Sequence, residues 1–124
     1  MVAMPTGPRT VSELRRVTLP SKLANQVGIK QDSFVSVTAA KGDEGLIEIR
    51  RVRAPRRTLG RQDPRRPRWV PESRQVTLPA AVLASVGLDV GSVVAFRAAG
   101  DCVQVFDATR VMDPVAQLLP LGDA

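Results

Sequence analysis

The sequence predicts a mainly β fold with short helices, formed by two tandem copies of one small unit. The tetrapeptide Val-Thr-Leu-Pro at residues 17–20 recurs at residues 76–79, and the dipeptide Val-Gly at residues 27–28 recurs at residues 86–87, both at an offset of 59. Self-similarity at one fixed offset is the signature of a repeated structural unit. Each copy also has the pattern of a strand, a short helix and a β-hairpin, in that order.

The size of the unit constrains how it folds. The chain has 124 residues, and a unit of about 45 residues rarely buries enough apolar surface without a disulfide, a metal or a partner. The sequence has one cysteine and no histidine, so it offers neither an internal disulfide nor a zinc site. The two copies must therefore complete each other's core, or pair with copies on another chain.

Proline and glycine divide the first copy into elements. Residues 1–9 contain two prolines and a glycine and are predicted to be a flexible arm. Residues 10–18 alternate loosely and predict a strand. Pro20 suits the first turn of a helix, and Gly28 suits the left-handed conformation that ends one. We therefore expect a helix from Pro20 to Val27.

The remainder of each copy predicts a β-hairpin, because apolar residues of high β-propensity flank a polar turn. In the first copy the hairpin strands are residues 34–37 and 46–49, with the turn at residues 41–45. Gly91 takes the place of Asp32 in the second copy, so we expect a positive φ at that position. The elements of the second copy are a strand at residues 69–77, a helix at 79–86 and hairpin strands at 93–97 and 102–106.

These boundaries divide the chain into five segments. Between the copies lie seven arginines, three prolines and a glycine, which predict an extended linker. After the second copy, Asp113 and Pro114 are typical of a helix start, and Val115, Leu118 and Leu119 follow; a short helix there could pack on the body or meet a partner. The segments are the arm (1–9), the first repeat (10–52), the linker (53–68), the second repeat (69–106) and the tail (107–124).

Positive charge is concentrated between the copies. Residues 50–74 contain ten arginines against Asp63 and Glu72, a net charge of +8, whereas residues 1–49 carry +1 and residues 75–124 carry −3. This distribution favours a polyanionic partner bound by the middle of the chain. The alternative is a basic linker that only keeps the protein in solution.

Several classes of function are disfavoured. There is no histidine or tyrosine, no glycine-rich phosphate loop and no pair of carboxylates that the predicted elements bring together, so we expect no catalysis, cofactor or metal. No run of about 20 apolar residues is present, and residues 1–9 are too polar for a secretory signal, so we expect a cytoplasmic protein. Cys102 lies in an alternating apolar run and is expected to be a structural thiol.

The order of strand, Arg-x-Val-Thr-Leu-Pro, short helix, Val-Gly-(Ile/Leu), polar turn and hairpin resembles the AbrB-like family, also called SpoVT-AbrB or MazE-like swapped-hairpin domains. The resemblance covers residues 11–52 and 70–106. It implies that two copies exchange hairpins in one interleaved β-barrel, here as a pseudo-dimer within one chain. Members of the family are mostly bacterial DNA-binding regulators, or antitoxins that also repress their own operons.

The resemblance also implies a DNA-contacting face formed by the N-terminal strands, the loop before the shared motif and nearby basic side chains. Carried over to this chain, it indicates Arg15, Arg16 and Lys22 in the first copy and Arg74 in the second. The family commonly has glycine before an arginine here, whereas this chain has Arg15 before Arg16 and Arg74 before Gln75. Ala81 replaces Lys22 in the second copy, so the two halves would contact DNA differently.

The linker adds a second group of candidate contacts. Arginine offers a planar fork of donors that matches a phosphate or the edge of guanine. Most of the linker's contribution would depend on salt and not on DNA sequence. The linker candidates are Arg53, Arg56, Arg57, Arg61, Arg65, Arg66 and Arg68.

Some of the singled-out residues have structural alternatives. Arg15 and Arg74 could instead pair with Glu13 and Glu72, two positions away on the same predicted strand face. Trp69 could stack on a base, but its place at a strand start favours sealing of a barrel edge. The predicted core contains Val17, Leu19, Leu23, Val27, Val76, Leu78, Leu83 and Val86.

We therefore expect a sequence-specific transcriptional regulator that binds double-stranded DNA and is associated with the nucleoid in a prokaryotic cytoplasm. One alternative is an antitoxin whose tail wraps a toxin, although the tail of residues 107–124 is short for that role. Another is an adaptor in which the repeats only mediate oligomerisation. Whether the chain is a monomeric pseudo-dimer or also forms a homodimer is open at the level of sequence.

Changing Arg56, Arg57, Arg65 and Arg66 together to alanine is expected to flatten the slope of log affinity for duplex DNA against log salt concentration by several units. The reason is that each phosphate contact releases counterions when DNA binds, so a variant with fewer contacts releases fewer counterions. The slope is measured by titrating a labelled duplex at several salt concentrations. The matched control changes the same four residues to lysine, which keeps the charge. An unchanged slope in the alanine variant would show that these side chains only solvate the linker.

Overall fold

Strands dominate the part of the chain that the structure describes. The structure is a computed structural model, and it describes residues 6–40, 45–53, 63 and 66–109. The strands are β1 (Thr6–Thr10), β2 (Arg16–Thr18), β3 (Phe34–Ala39), β4 (Leu46–Val52), β5 (Arg68–Trp69), β6 (Gln75–Thr77), β7 (Val93–Ala99) and β8 (Cys102–Asp107). The helices are α1 (Ser21–Gln26) and α2 (Ala80–Ser85). The prediction of a mainly β fold with short helices is confirmed.

Two sheets enclose the core. An antiparallel sheet of six strands has the order β1-β7-β8-β4-β3-β5 and curls into half a barrel, and β2 pairs with β6 in a separate two-stranded sheet. We call this pair of strands the motif ribbon, because both copies of the Val-Thr-Leu-Pro motif begin in it. Alternate residues of each strand point to the same side of the sheet. Buried side chains of the two sheets and the helices form one main apolar cluster.

The strand pairing relates the two copies by an approximate twofold axis. In the motif ribbon Val17 lies opposite Val76, its own equivalent in the other copy. In the large sheet Glu48 lies opposite Gln104, and these are the third residues of β4 and β8. The strand order of the large sheet also reads the same from both ends once each strand is replaced by its equivalent. Both sheets are therefore pseudo-symmetric within a single chain.

Each copy is completed by strands of the other. β1 of the first copy pairs with β7 of the second, and β5 of the second pairs with β3 of the first. The Val11 amide donates to the Ser92 carbonyl oxygen at 2.9 Å, and the equivalent Val70 amide donates to the Ser33 carbonyl oxygen at 2.8 Å. The helices behave alike, since α1 contacts β7 and α2 contacts β3. Side chains of both copies thus meet in the core, as the small size of each copy requires.

The predicted core residues are confirmed, with two of them at the margin. Val27 and Val86 are partly buried and pack against the main cluster. Full burial of a valine or leucine side chain stabilises the fold by roughly 1.5–3 kcal/mol, so the buried residues of the two motifs hold the halves together. The buried members of the predicted set are Val17, Leu19, Leu23, Val76, Leu78 and Leu83.

The predicted helix boundaries and turn conformations are also confirmed. Pro20 is the N-cap of α1, and an equivalent proline precedes α2. Gly28 and Gly87 follow the helices with φ of 79° and 75°, which glycine adopts readily because it has no Cβ. Asp32 has a φ of 69° and its counterpart Gly91 has a φ of 87°, as the substitution between the copies predicts.

The long strand predicted at the start of each copy is wrong. The structure has two strands, β1 and β2, separated by a turn at residues 12–15, and the second copy is divided in the same way between β5 and β6. The chain turns because Arg15 adopts a left-handed φ of 58°, which an uninterrupted strand does not contain. Residues 6–9, predicted to belong to the flexible arm, are part of β1, and Arg68, predicted to end the linker, begins β5.

Parts of the predicted organisation lie outside the described residues. These are most of the linker, the hairpin turn at residues 41–44 and the tail helix expected after Asp113. Within the described ranges, neither helix has the length and apolar character needed to cross a bilayer.

The midpoint of thermal unfolding is expected to be independent of protein concentration. The strands that complete each half come from the same chain, so folding requires no association. Circular dichroism at several concentrations measures the midpoint, and sedimentation should give a mass near 13.4 kDa. As a control, Val76→Asp places a charge at the centre of the buried ribbon and should unfold the protein at every concentration. A midpoint that rises with concentration would show that the copies pair between chains.

Candidate nucleic-acid interface

Two equivalent turns, which we call the arginine turns, flank the motif ribbon at residues 12–15 and 71–74. In each turn the amide of the final arginine donates to the carbonyl oxygen three residues earlier, at 2.8 Å in the first copy and 2.9 Å in the second. The carbonyl oxygens of Arg15 and Arg74 accept from leucine amides of the opposite copy's motif, at 2.7 Å and 3.0 Å. Because the ribbon is antiparallel, the two arginines lie at its opposite ends. Their separation along the strands is about 13 Å.

Both turns place an arginine where the backbone favours glycine. φ is 58° at Arg15 and 60° at Arg74, and Asp32 is the other non-glycine residue with a positive φ in the described ranges. The left-handed conformation costs an ordinary residue about 1–2 kcal/mol, which glycine avoids. Backbone strain of this kind is concentrated at functional sites. The same strained residue thus occurs at two equivalent positions.

The first arginine turn belongs to a crowded group of cations. The Nε atoms of Arg15 and Arg68 are both buried without a hydrogen-bond partner. Burial lowers the pKa of the Arg68 guanidinium, the charges of Arg66 and Arg15 lower it further, and Asp63 raises it. An anion held beside the guanidinium groups would relieve the repulsion among their charges, so the group favours anion binding. We call Arg15, Arg66 and Arg68 the arginine cluster.

The pseudo-twofold axis assigns an equivalent cation to the other half. Arg9 is the counterpart of Arg68 at the offset of 59. Arg9 of β1 lies opposite Val94 of β7, just as Arg68 of β5 lies opposite Val35 of β3. The side chain of Arg9 is exposed. Sequence reasoning missed this residue because residues 1–9 were assigned to an arm, although the offset that aligns the two motifs also aligns Arg9 with Arg68.

The outer face of the motif ribbon is polar. Its central valines are buried, so the residues on either side of them point outward. Arg16 and Gln75 are exposed, while Thr18 and Thr77 are half-buried. A two-stranded ribbon fits the major groove of B-DNA, where arginine pairs well with guanine and glutamine with adenine. Gln75 is not among the contacts predicted from the sequence, because all of those were chosen as basic residues.

Of the other predicted contacts, the structure describes Lys22, Arg53 and Arg66. Lys22 is exposed on α1, and Arg53 is exposed directly after β4. Arg66 is half-buried and joins the arginine cluster. The predicted contacts that fall outside the described residues are Arg56, Arg57, Arg61 and Arg65.

Of the two structural alternatives from the sequence, the ion pairs of Arg15 and Arg74 are wrong. Glu13 and Glu72 lie in the arginine turns and not on a strand, and among the described residues neither forms a salt bridge with Arg15 or Arg74. Trp69 lies on the edge strand β5 and is 53% exposed, so its role in sealing a barrel edge stays a prediction. The arginines of the turns and the tryptophan therefore keep surface available for a partner.

Cys102 is a structural thiol, as predicted. It is buried, and its Sγ atom lies 3.3 Å from the Ala99 carbonyl oxygen and 3.7 Å from the Glu48 carboxylate. Burial raises the pKa of the thiol and the Glu48 charge adds to the effect, so the reactive thiolate is disfavoured. Across residues 6–40, 45–53, 63 and 66–109, no group of three His, Cys, Asp or Glu side chains could hold a metal ion.

Comparison with known proteins leaves the interface to be judged on its geometry. No protein-family model matches the chain, and no curated protein matches it. The chemistry of the motif ribbon and the arginine turns therefore carries the assignment of function.

Glycine at positions 15 and 74 is expected to give a more stable protein than alanine at the same positions, by about 1 kcal/mol per site, because glycine adopts a left-handed φ without strain. The variants are Arg15→Gly with Arg74→Gly, and Arg15→Ala with Arg74→Ala, so that both pairs lack the guanidinium groups. Urea unfolding measures the free energies of unfolding. Equal stability of the two double variants would show that these turns impose no strain on a side chain.

Proposed function

We propose that the protein is a sequence-specific regulator of transcription that binds double-stranded DNA. The observation that carries the proposal is the pair of arginines held in left-handed turns at the two ends of one ribbon whose outer face is polar. This arrangement joins a surface suited to reading bases with two ends suited to binding phosphates. Its pseudo-twofold symmetry suits a DNA site of two half-sites, which commonly mirrors the symmetry of the protein.

The proposal includes the architecture, an AbrB-like swapped-hairpin barrel formed as an intrachain pseudo-dimer. Support comes from the exchange of strands, with β1 paired to β7 and β5 paired to β3. The packing of each helix on the hairpin of the other copy supports it further. These observations are independent of the motif on which the resemblance to the family depends.

The motif ribbon would enter the major groove with its outer face toward the bases. Arg16 can donate two hydrogen bonds to guanine, and Gln75 can donate to and accept from adenine. Arg16 lies opposite Thr77 and Gln75 lies opposite Thr18, so the two long side chains occupy different ends of the ribbon. Each such bidentate pair contributes about 1–3 kcal/mol of discrimination against a wrong base. Because arginine and glutamine prefer different bases, the two half-sites should differ.

The arginine cluster would bind the DNA backbone beside one end of the ribbon. The phosphate charge would offset the repulsion within the cluster. Bonds between guanidinium and phosphate are charge-assisted and roughly twice as strong as neutral hydrogen bonds. Arg74 and Arg9 are the equivalent residues for the other end.

Selection of bound duplexes from a random DNA pool tests the proposal. At about 150 mM salt the Debye length is about 8 Å, so loose electrostatic binding is weakened. We expect an enriched motif with two unequal halves. The control variant, Arg16→Ala with Gln75→Ala, keeps both arginine turns and should bind duplexes at low salt without enriching a motif. Binding of the wild type without enrichment would indicate a non-specific DNA-binding protein, and no binding at any salt concentration would exclude DNA as the partner.

A further inference from the structure

One large apolar side chain is exposed within this basic surface. Leu14 is 63% exposed, the highest value among the large hydrophobic residues of the described ranges. It directly precedes Arg15 in the first arginine turn. Its equivalent in the second arginine turn is Ser73, so the two ends of the ribbon differ in polarity as well as in charge.

The conformation of the turn does not depend on Leu14. The Arg15 amide donates to the Ser12 carbonyl oxygen at 2.8 Å, and the Ser12 amide donates to the Arg16 carbonyl oxygen at 3.0 Å. The Ser12 hydroxyl also accepts from the Arg16 amide at 3.2 Å. The second arginine turn forms with Ser73 in the place of leucine and has nearly the same φ at its arginine. The leucine side chain is therefore available for a contact outside the chain.

We propose that Leu14 contacts the 5-methyl group of a thymine in the major groove and so determines specificity in one half-site. This inference rests on the proposed function. The thymine methyl is the apolar group that bases present in the major groove, and apolar side chains recognise it. Leu14 precedes Arg15, assigned above to phosphate, and Arg16, assigned above to a base edge. It thus lies where the ribbon meets the edge of the groove.

The position on the ribbon favours this contact over insertion between base pairs. Apolar wedges that separate base pairs act from the minor groove and bend the duplex. Leu14 lies instead at the end of a two-stranded ribbon, and such a ribbon fits the major groove. Ser73 at the other end has no comparable apolar surface, so the second half-site should lack the thymine preference.

Deoxyuridine provides an atomic test, because its base differs from thymine only in lacking the methyl group. Each thymine of the selected duplex is replaced in turn by deoxyuridine. For the wild type, one replacement is expected to weaken binding about fourfold, the effect of losing one buried methyl group. Leu14→Ser should bind the thymine duplex about fourfold less tightly than the wild type. The same deoxyuridine should then cause no further loss.

Ser73→Leu is the matched variant that should gain the contact. It is expected to acquire a thymine preference in the other half-site, and deoxyuridine there should abolish the gain. Both positions are exposed, so thermal unfolding of Leu14→Ser and Ser73→Leu should match that of the wild type. If the wild type enriches a two-part motif but no deoxyuridine weakens its binding, the contact is rejected and the proposed function stands. If the wild type enriches no motif, both are rejected.

Discussion

The fold depends on a shortage of apolar surface, because neither copy can build a core by itself. In the structure, strands of the two copies pair with each other, so that β1 lies beside β7 and β5 lies beside β3. Val17 lies opposite Val76 in the buried centre of the motif ribbon. Once the centre of the ribbon is fixed by packing, its two ends are fixed as well. The positions of the arginine turns therefore follow from the way the core is shared.

The arginine turns contain features that lower the stability of the fold. A left-handed backbone favours glycine, and both turns hold arginine in it. The buried and unpartnered Nε atoms of Arg15 and Arg68 add a second unfavourable feature to the first turn. Proteins retain such features where binding requires them, and stability elsewhere offsets the strain. Here the offset comes from the shared core, which lies directly beneath the ribbon.

Local signals made much of the fold predictable from the sequence. Pro20 precedes α1 and Gly28 follows it, because each residue acts through its own backbone preference. The break between β1 and β2 was not predicted, since Val11 and Val17 share one parity across the turn and arginine carries no signal for a positive φ. The resemblance indicated Arg15, Arg16 and Arg74 as candidate contacts, although strands and not turns were predicted around them. The grouping of Arg15 with Arg68 depends on contact between residues distant in sequence, which no local pattern reports.

Because the two copies belong to one chain, the residues that face each other at the symmetry axis can differ. Glu48 lies opposite Gln104 at the centre of the large sheet. In a pair of identical subunits the axial residue faces its own copy, so two Glu48 carboxylates would be opposed, and like charges directly opposite each other destabilise a strand pair. The tandem chain sets an amide against the carboxylate instead. Its sequence thereby favours pairing of the first copy with the second copy over pairing of the first copies of two molecules.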